Sequence, residues 1–246
     1  MNLVIDQGNS AAKIALFEEN TLVKVFHAEA LSEGLLSEII REFRPTAGIL
    51  SSVSSLESLK SLDSLRTLRN LRTLKTFFEL THHLPLPLTT HYQTPQTLGM
   101  DRLAAAVGAA AQKPATPLLV IDIGTAITID YVSAEGVYSG GNISPGVDLR
   151  FKALHQFTGR LPLISEEGDV PPLGYDTETA IRSGVIEGIV RELDSYIDEY
   201  KKKYNIFAFL TGGYAFYFES KLKNAIFADA NLVLKGLNEI LNYQRK

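Results

Sequence analysis

The chain has 246 residues, 45% of them apolar and 21% charged, a balance that excludes disordered, collagen-like and fibrous readings. Lysine and arginine number 24 against 28 aspartates and glutamates, a formal net charge of -4, which argues against a broad footprint on nucleic-acid phosphates. There is no cysteine, so a disulfide framework, a thiolate metal site and a cysteine nucleophile are excluded, and a reducing cytoplasm fits. The opening Met1-Asn2-Leu3-Val4-Ile5-Asp6 lacks the basic start and long apolar run of a signal peptide, and no window of about eighteen uninterrupted apolar residues follows. Neither export nor a membrane span is expected.

In chain order, Leu3-Val4-Ile5 and Ala12 to Phe17 are strand-like and flank Asp6-Gln7-Gly8-Asn9-Ser10, whose glycine and asparagine suit a tight hairpin turn. Ala47 to Leu50 reads as a strand leading toward a helix near Leu56 to Leu71. Its leucines recur every third residue, a period that drifts around a helix and sustains no heptad, so a surface helix is expected rather than a zipper. Leu103 to Ala111 is an alanine-rich helical stretch, followed by Gln112-Lys113-Pro114-Ala115-Thr116-Pro117, a linker-like boundary.

Leu118 to Ile121 and Ile127 to Val132 then flank Asp122-Ile123-Gly124-Thr125-Ala126, repeating the first strand, turn, strand unit with Asp over Asp and Gly over Gly. A repeat at such separation predicts two related domains, 1–114 and 115–246, rather than a solenoid. Ala180 to Lys202 carries Ile181, Val185, Ile189, Leu193 and Ile197 at fourfold spacing, a core helix in which Gly184 and Gly188 would permit close packing. Phe207 to Leu210 is a further strand, and the alternation is that of an α/β protein.

Several stretches have chemistry in them. The Asp6 turn with Lys13 brings amides, small polar side chains and a cation together, the parts of a phosphate cradle, although an ordinary hairpin would look the same. The second copy strengthens the cradle reading, because two acidic turns could hold a polyphosphate and its cations between them. Gly99-Met100-Asp101-Arg102 opens a helix, and spacing leaves two readings: Asp101 favouring the helix dipole, or Asp101 as a base with Arg102 clamping a carboxylate. Gly140-Gly141-Asn142-Ile143-Ser144-Pro145-Gly146 and Thr211-Gly212-Gly213 read as glycine-rich turns beside strands, and Thr177 as a helix N-cap. The histidines at 27, 82, 83, 91 and 155 lack metal-site spacing.

Taken in order, Asp6-x-Gly8-Asn9-Ser10-x-x-Lys13, Tyr92-x-x-Pro95-x-x-x-Gly99-x-Asp101-Arg102, Asp122-x-Gly124-Thr125-Ala126-x-Thr128-x-Asp130, Gly140-Gly141-x-Ile143-x-Pro145-Gly146 and Thr211-Gly212-Gly213 closely resemble type III pantothenate kinase. That family belongs to the acetate and sugar kinase, chaperone ATPase and actin superfamily. The resemblance implies two ribonuclease H-like domains, with mixed sheets flanked by helices, around a nucleotide cleft. It implies ATP-dependent phosphorylation of pantothenate to 4′-phosphopantothenate, the first step of coenzyme A biosynthesis, in a cytoplasmic homodimer without nucleic-acid or membrane partners.

The resemblance also assigns roles. Asp6, Gln7, Gly8, Asn9, Ser10, Ala11, Ala12 and Lys13 would bind ATP phosphates, joined by Thr125 and, toward the adenosine, by Gly212 and Gly213. Asp101 would be the general base, with Tyr92, Gly99, Met100, Arg102 and Thr177 around pantothenate. Magnesium would accompany ATP, and Asp122 would hold an activating potassium or ammonium ion. Ser10 stands where threonine is usual and Gln7 where an apolar residue is usual. An ATP-binding regulatory protein of the same fold and a kinase of another small hydroxy acid are the alternatives.

Overall fold

The computed structural model describes residues 1–8, 11–52 and 74–246. Asn9 and Ser10 of the first turn, and the helix expected near Leu56 to Leu71, lie outside the described residues. The chain divides into two compact units, the first comprising Met1–Ala115, Glu135–Ser139 and Asn231–Lys246, the second Thr116–Ala134 and Gly140–Ala230.

In the first unit, β1 (Asn2–Gln7), β2 (Ala12–Glu18) and β3 (Thr21–Ala28) form an antiparallel meander. After α1 (Glu33–Phe43) the chain returns as β4 (Ala47–Ser52), parallel to β1, with β5 (Thr76–Glu79) parallel beside it, giving the order β3-β2-β1-β4-β5. Strand alternation sends Leu3, Ile5, Ile14, Leu16 and Leu50 to one face, against Leu36, Ile39 and Ile40 of α1. Val4, Ala15, Phe17, Ala47 and Ile49 go to the other. There they meet α2 (Met100–Gln112) through Ala104 and Val107, and the C-terminal helix through Leu234, Leu237, Ile240 and Leu241. The two-residue β6 (Thr89–Thr90) pairs with Val137 and Tyr138.

Residues 231–246, at the far end of the chain, belong to the first unit, whose opening segment ends at Ala115. Two contacts explain this. Asn2 Nδ2 donates to Asn238 Oδ1 at 2.8 Å and to Asn242 Oδ1 at 2.9 Å, anchoring the last helix to β1. Glycines at the helix crossing remove the side chains that would hold α2 away: a Cβ on Gly236 would lie 1.7 Å from Ala104 O, and one on Gly108 2.4 Å from Leu232 O. The two backbones touch.

The second unit repeats the plan. The antiparallel hairpin β7 (Leu118–Ile123) and β8 (Ala126–Val132) is followed by β9 (Val137–Pro145), which belongs to this unit from Gly140 onward, and β10 (Phe207–Thr211) and the short β11 (Phe227–Ala228) add parallel to β7, in the order β11-β10-β7-β8-β9. Its core joins Leu119, Ile121, Ile123, Ile127 and Ile129 to α3 (Val147–Gln156), α4 (Thr177–Tyr204) and α5 (Ala215–Glu219). The fourfold series Ile181, Val185, Ile189, Leu193 and Ile197 is buried as its spacing requires.

Three sequence readings are corrected. The N-cap of α4 is Asp176, whose carboxylate accepts from Thr179 N at 2.8 Å while Thr179 Oγ1 accepts from Asp176 N; Thr177 is the first helical residue. Gly184 and Gly188 do not mediate close packing, since a Cβ at either would meet nothing within 4 Å. Gly140 and Gly141 lie inside β9 rather than in a turn, and a Cβ on Gly141 would fall 1.9 Å from Ile129 O, so this glycine lets β9 lie against β8.

Candidate active site

In the first unit the β1–β2 turn closes through Gly8 N donating to Ala11 O at 3.0 Å. Register places Lys13 opposite Asp6 on one side and Ser51 opposite it on the other. Asp6 is therefore the middle of a row at the carboxyl ends of β1 and β4. Its Oδ1 is buried and has no hydrogen-bond partner. Burial first, and the negative charge of Asp101 second, push its carboxyl up from 3.8 to about 7, against the lowering pull of Lys13.

Asp101 arrives from α2. Gly99 caps that helix without a side chain, and Asp101 sits in the first turn with Oδ1 accepting from Arg102 N at 2.9 Å. A Cβ on Gly99 would lie 2.4 Å from that same oxygen, so glycine there makes room for the carboxylate to fold back over the helix start. Arg102 is buried, and its guanidinium carbon stands 5.8 Å from the centroid of the Tyr92 ring, which in turn neighbours Tyr138 at 6.3 Å. The first unit thus groups Asp6, Lys13 and Asp101 electrostatically, with Arg102 and Tyr92 one step along.

In the second unit Asp122 is the last residue but one of β7, and Gly124 N donates to Ala126 O at 3.0 Å to close the turn that carries Thr125. Gly146 packs beneath it, its N–H donating to Thr125 O at 3.0 Å; a Cβ there would lie 2.2 Å from Gly124 O. Gly212, at φ +93, follows β10, and a Cβ on it would fall 2.4 Å from Asp122 Oδ1 and 2.5 Å from Ile123 O. Asp122, Thr125 and the Gly212-Gly213 turn are thereby brought together. Thr177 is not with them: it lines a groove of about 760 Å³ with Pro145, Leu149, Arg150 and Ile181.

Tyr214 was not singled out in the sequence, yet it ties these turns together. Its N–H donates to Ile123 O at 3.2 Å, and its hydroxyl lies 2.8 Å from Asp148 Oδ1 and 3.3 Å from Glu166 Oε1, so burial and these carboxylates raise its pKa. The only local signal was its place directly after Gly212-Gly213. Among the described residues no group of three or more histidine, cysteine or acidic side chains could hold a metal ion, and no helix is long and apolar enough to cross a membrane.

The model of the type III pantothenate kinase family matches residues 2–199. A type III pantothenate kinase of Azobacteroides pseudotrichonymphae is 57% identical over 246 residues, covering 100% of this chain and 98% of its own. That of Phocaeicola vulgatus is 49% identical, with 100% of both chains covered. Among solved structures, a conserved protein of the Baf family of transcriptional activators from Campylobacter jejuni superposes with a TM-score of 0.63 at 25% identity, covering 99% of this chain and 98% of its own. With a family model matched across most of its length and relatives this similar end to end, the chain belongs to the type III pantothenate kinase family.

Proposed function

We propose that this protein transfers the γ-phosphoryl group of ATP to the 4′-hydroxyl of pantothenate, giving 4′-phosphopantothenate and ADP at the start of coenzyme A biosynthesis. The observation that carries it is the grouping on one helix start of Asp101, held against Arg102 N, with the guanidinium of Arg102 set over Tyr92. A substrate bearing a carboxylate and a primary alcohol suits a cation clamp beside a base. The alcohol oxygen forms the new bond to the γ-phosphorus as the bond to the β,γ-bridging oxygen breaks. The alcohol proton passes to the Asp101 carboxylate.

The residues present fit a divalent cation. Asp6 Oδ1 is a hard oxygen donor, buried and unpartnered, beside a second carboxylate whose repulsion a cation would relieve. Asp6 would hold magnesium with the ATP phosphates, where the ion supplies neutralisation of their charge. Lys13 and the Asp6 to Lys13 turn, Asn9 and Ser10 included, are expected to line the phosphates, with Thr125, Gly212 and Gly213 on the nucleotide side. Asp122 also fits its proposed potassium or ammonium ion, since its Oδ1 and Ile123 O converge where only a glycine leaves space.

A C2 homodimer in the cytoplasm belongs to the same proposal. Support comes from apolar surface on the second unit, where Ile143 is 63% and Phe157 80% exposed, and from the groove holding Thr177, which would reach substrate through the assembly. A purely regulatory ATP-binding protein would have no use for the Tyr92, Asp101 and Arg102 group. The test is incubation of the purified chain with ATP and magnesium over a panel of hydroxy acids, in potassium and in sodium, with products identified by mass spectrometry. Phosphopantothenate as the dominant product is expected; its absence, or preference for another acid, overturns the reading.

A further inference from the structure

The turn that presents Thr125 stands on a stretch of chain that apolar packing does not fix. Gly146 supports the turn through its N–H, which donates to Thr125 O at 3.0 Å. A Cβ at 146 would fall 2.2 Å from Gly124 O and 2.5 Å from Thr125 O, so the two backbones touch and any movement of one is passed to the other. Leading into Gly146, Ile143 and Pro145 are exposed and Ser144 is half-buried; the core resumes only at Val147. Proline offers a carbonyl but no N–H, so few bonds are available to hold this stretch.

Two side chains supply them. Arg150, one turn into α3, donates from Nε to Pro145 O at 2.8 Å, and from Nη2 to Ser144 Oγ at 3.2 Å and to Glu192 Oε2. Glu192, midway along α4, accepts from Ser144 Oγ at 2.7 Å through its other oxygen. An ion pair in open water would contribute little. This one is 22% and 24% exposed, and both of its members are charged partners in hydrogen bonds, which are stronger than neutral ones. Successive residues are thereby tied in order: Ser144 to α4, Pro145 to Arg150, and Gly146 to the turn.

We infer that Arg150 and Glu192 are positioning residues for the nucleotide: through Ser144, Pro145 and Gly146 they fix where the turn presents Thr125. The inference rests on the kinase reading only in taking Thr125 to face the nucleotide. Arg150 also lines the groove that holds Thr177, whereas Glu192 is not part of its wall, so an effect shared by both belongs to the turn. Glu187 is an internal control, since it lies on the same helix but pairs with Arg191, at 3.5 Å, instead of with the stretch.

The test measures binding of a non-hydrolysable ATP analogue with magnesium to the full-length protein by isothermal titration calorimetry, with no pantothenate present. Arg150→Met keeps the apolar stem in the groove and removes the guanidinium. Arg150→Met and Glu192→Ala are each expected to weaken the analogue by about three- to thirtyfold, the range for residues that reach a ligand through others. Combined, they should cost no more than the larger single loss, because both act on one stretch of chain. Arg150→Lys, whose compact ammonium lacks the planar fork, is expected to fall between the parent and Arg150→Met. Glu187→Ala should stay within about twofold. Amide hydrogen exchange at Gly146 should quicken in Arg150→Met and in Glu192→Ala, but not in Glu187→Ala. A role confined to folding would lower Tm and leave the affinity of the folded protein where it was. Affinity within about twofold of the parent in both single variants therefore overturns the inference, as does an equal loss in Glu187→Ala, or losses that multiply in the combined variant. A parent that binds no nucleotide overturns the inference together with the reading beneath it; nucleotide binding without phosphopantothenate from the complete reaction overturns the kinase reading alone.

Discussion

Replacing Asp6 by asparagine offers a quantitative test of the electrostatics at the centre of the site. The Asp6 carboxyl is raised from 3.8 to about 7 by burial and by Asp101. At about 1.4 kcal/mol for each pH unit of displacement, ionising it in the folded, ligand-free protein costs about 4 kcal/mol. Because the folded value lies above the unfolded one, the contribution is fully present below about pH 4 and is lost as pH rises through about 7. Between pH 5 and pH 8 the parent therefore gives up about 2 to 3 kcal/mol through this one group, while Asp6→Asn has no proton to lose. For a chain of this size that is about 5 to 10 °C in Tm. The assay is thermal unfolding of parent and variant in parallel from pH 5 to 8, with nucleotide and divalent cations absent. The Tm of the variant minus that of the parent should grow with pH by that amount; a difference that stays flat, or shrinks, refutes the burial argument.

Other perturbations address the remaining parts. Asp101→Asn keeps the shape of the helix start but removes the proposed proton acceptor, so steady-state turnover should fall by roughly two to four orders of magnitude while ATP binding persists. Arg102→Met removes the guanidinium over Tyr92 and should raise the KM for pantothenate by roughly ten- to a hundredfold, with kcat far less affected. Asp122→Asn should abolish any advantage of potassium over sodium in initial-rate measurements, without changing the order of substrate preference. Gly236→Ala puts a carbon 1.7 Å from Ala104 O, and separating the last helix from α2 should lower stability in chemical denaturation by about 1 to 3 kcal/mol.

Both hairpins were legible because each is a local event: short apolar runs on either side of an Asp-x-Gly turn specify strand, reversal and strand within about seventeen residues. The core helix was legible from its fourfold apolar series. What escaped depends on distant partners. Strands of two residues, such as Thr89–Thr90 and Phe227–Ala228, exist only because a longer strand is there to pair with them. The C-terminal helix joins the first unit through Asn238, Asn242 and Gly236, whose partners Asn2 and Ala104 lie more than a hundred residues away. Threonine at 177 suits a cap position, but the reciprocal bonds between Asp176 and Thr179 decide the helix start, and the side chain at the third helical position is what permits them.

The site divides along the same physical line. Residue type and order suffice to single out Asp6, Lys13, Asp101 and Arg102, because base, cation and turn chemistry are properties of the residues themselves. Whether a carboxylate is held charged or neutral is a property of its surroundings. Asp6 and Asp101 stand 95 positions apart, and only the packing of α2 over the carboxyl end of β1 lets the second charge act on the first. Ser51 was invisible for a related reason: a Ser-Ser pair closing a strand is unremarkable until the ladder shows that one hydroxyl is beside Asp6 and the other beside Gln7. A shift of β4 by one residue would exchange the two. The ladder that builds the sheet therefore also fixes which of the two serines lies beside the Asp6 carboxylate.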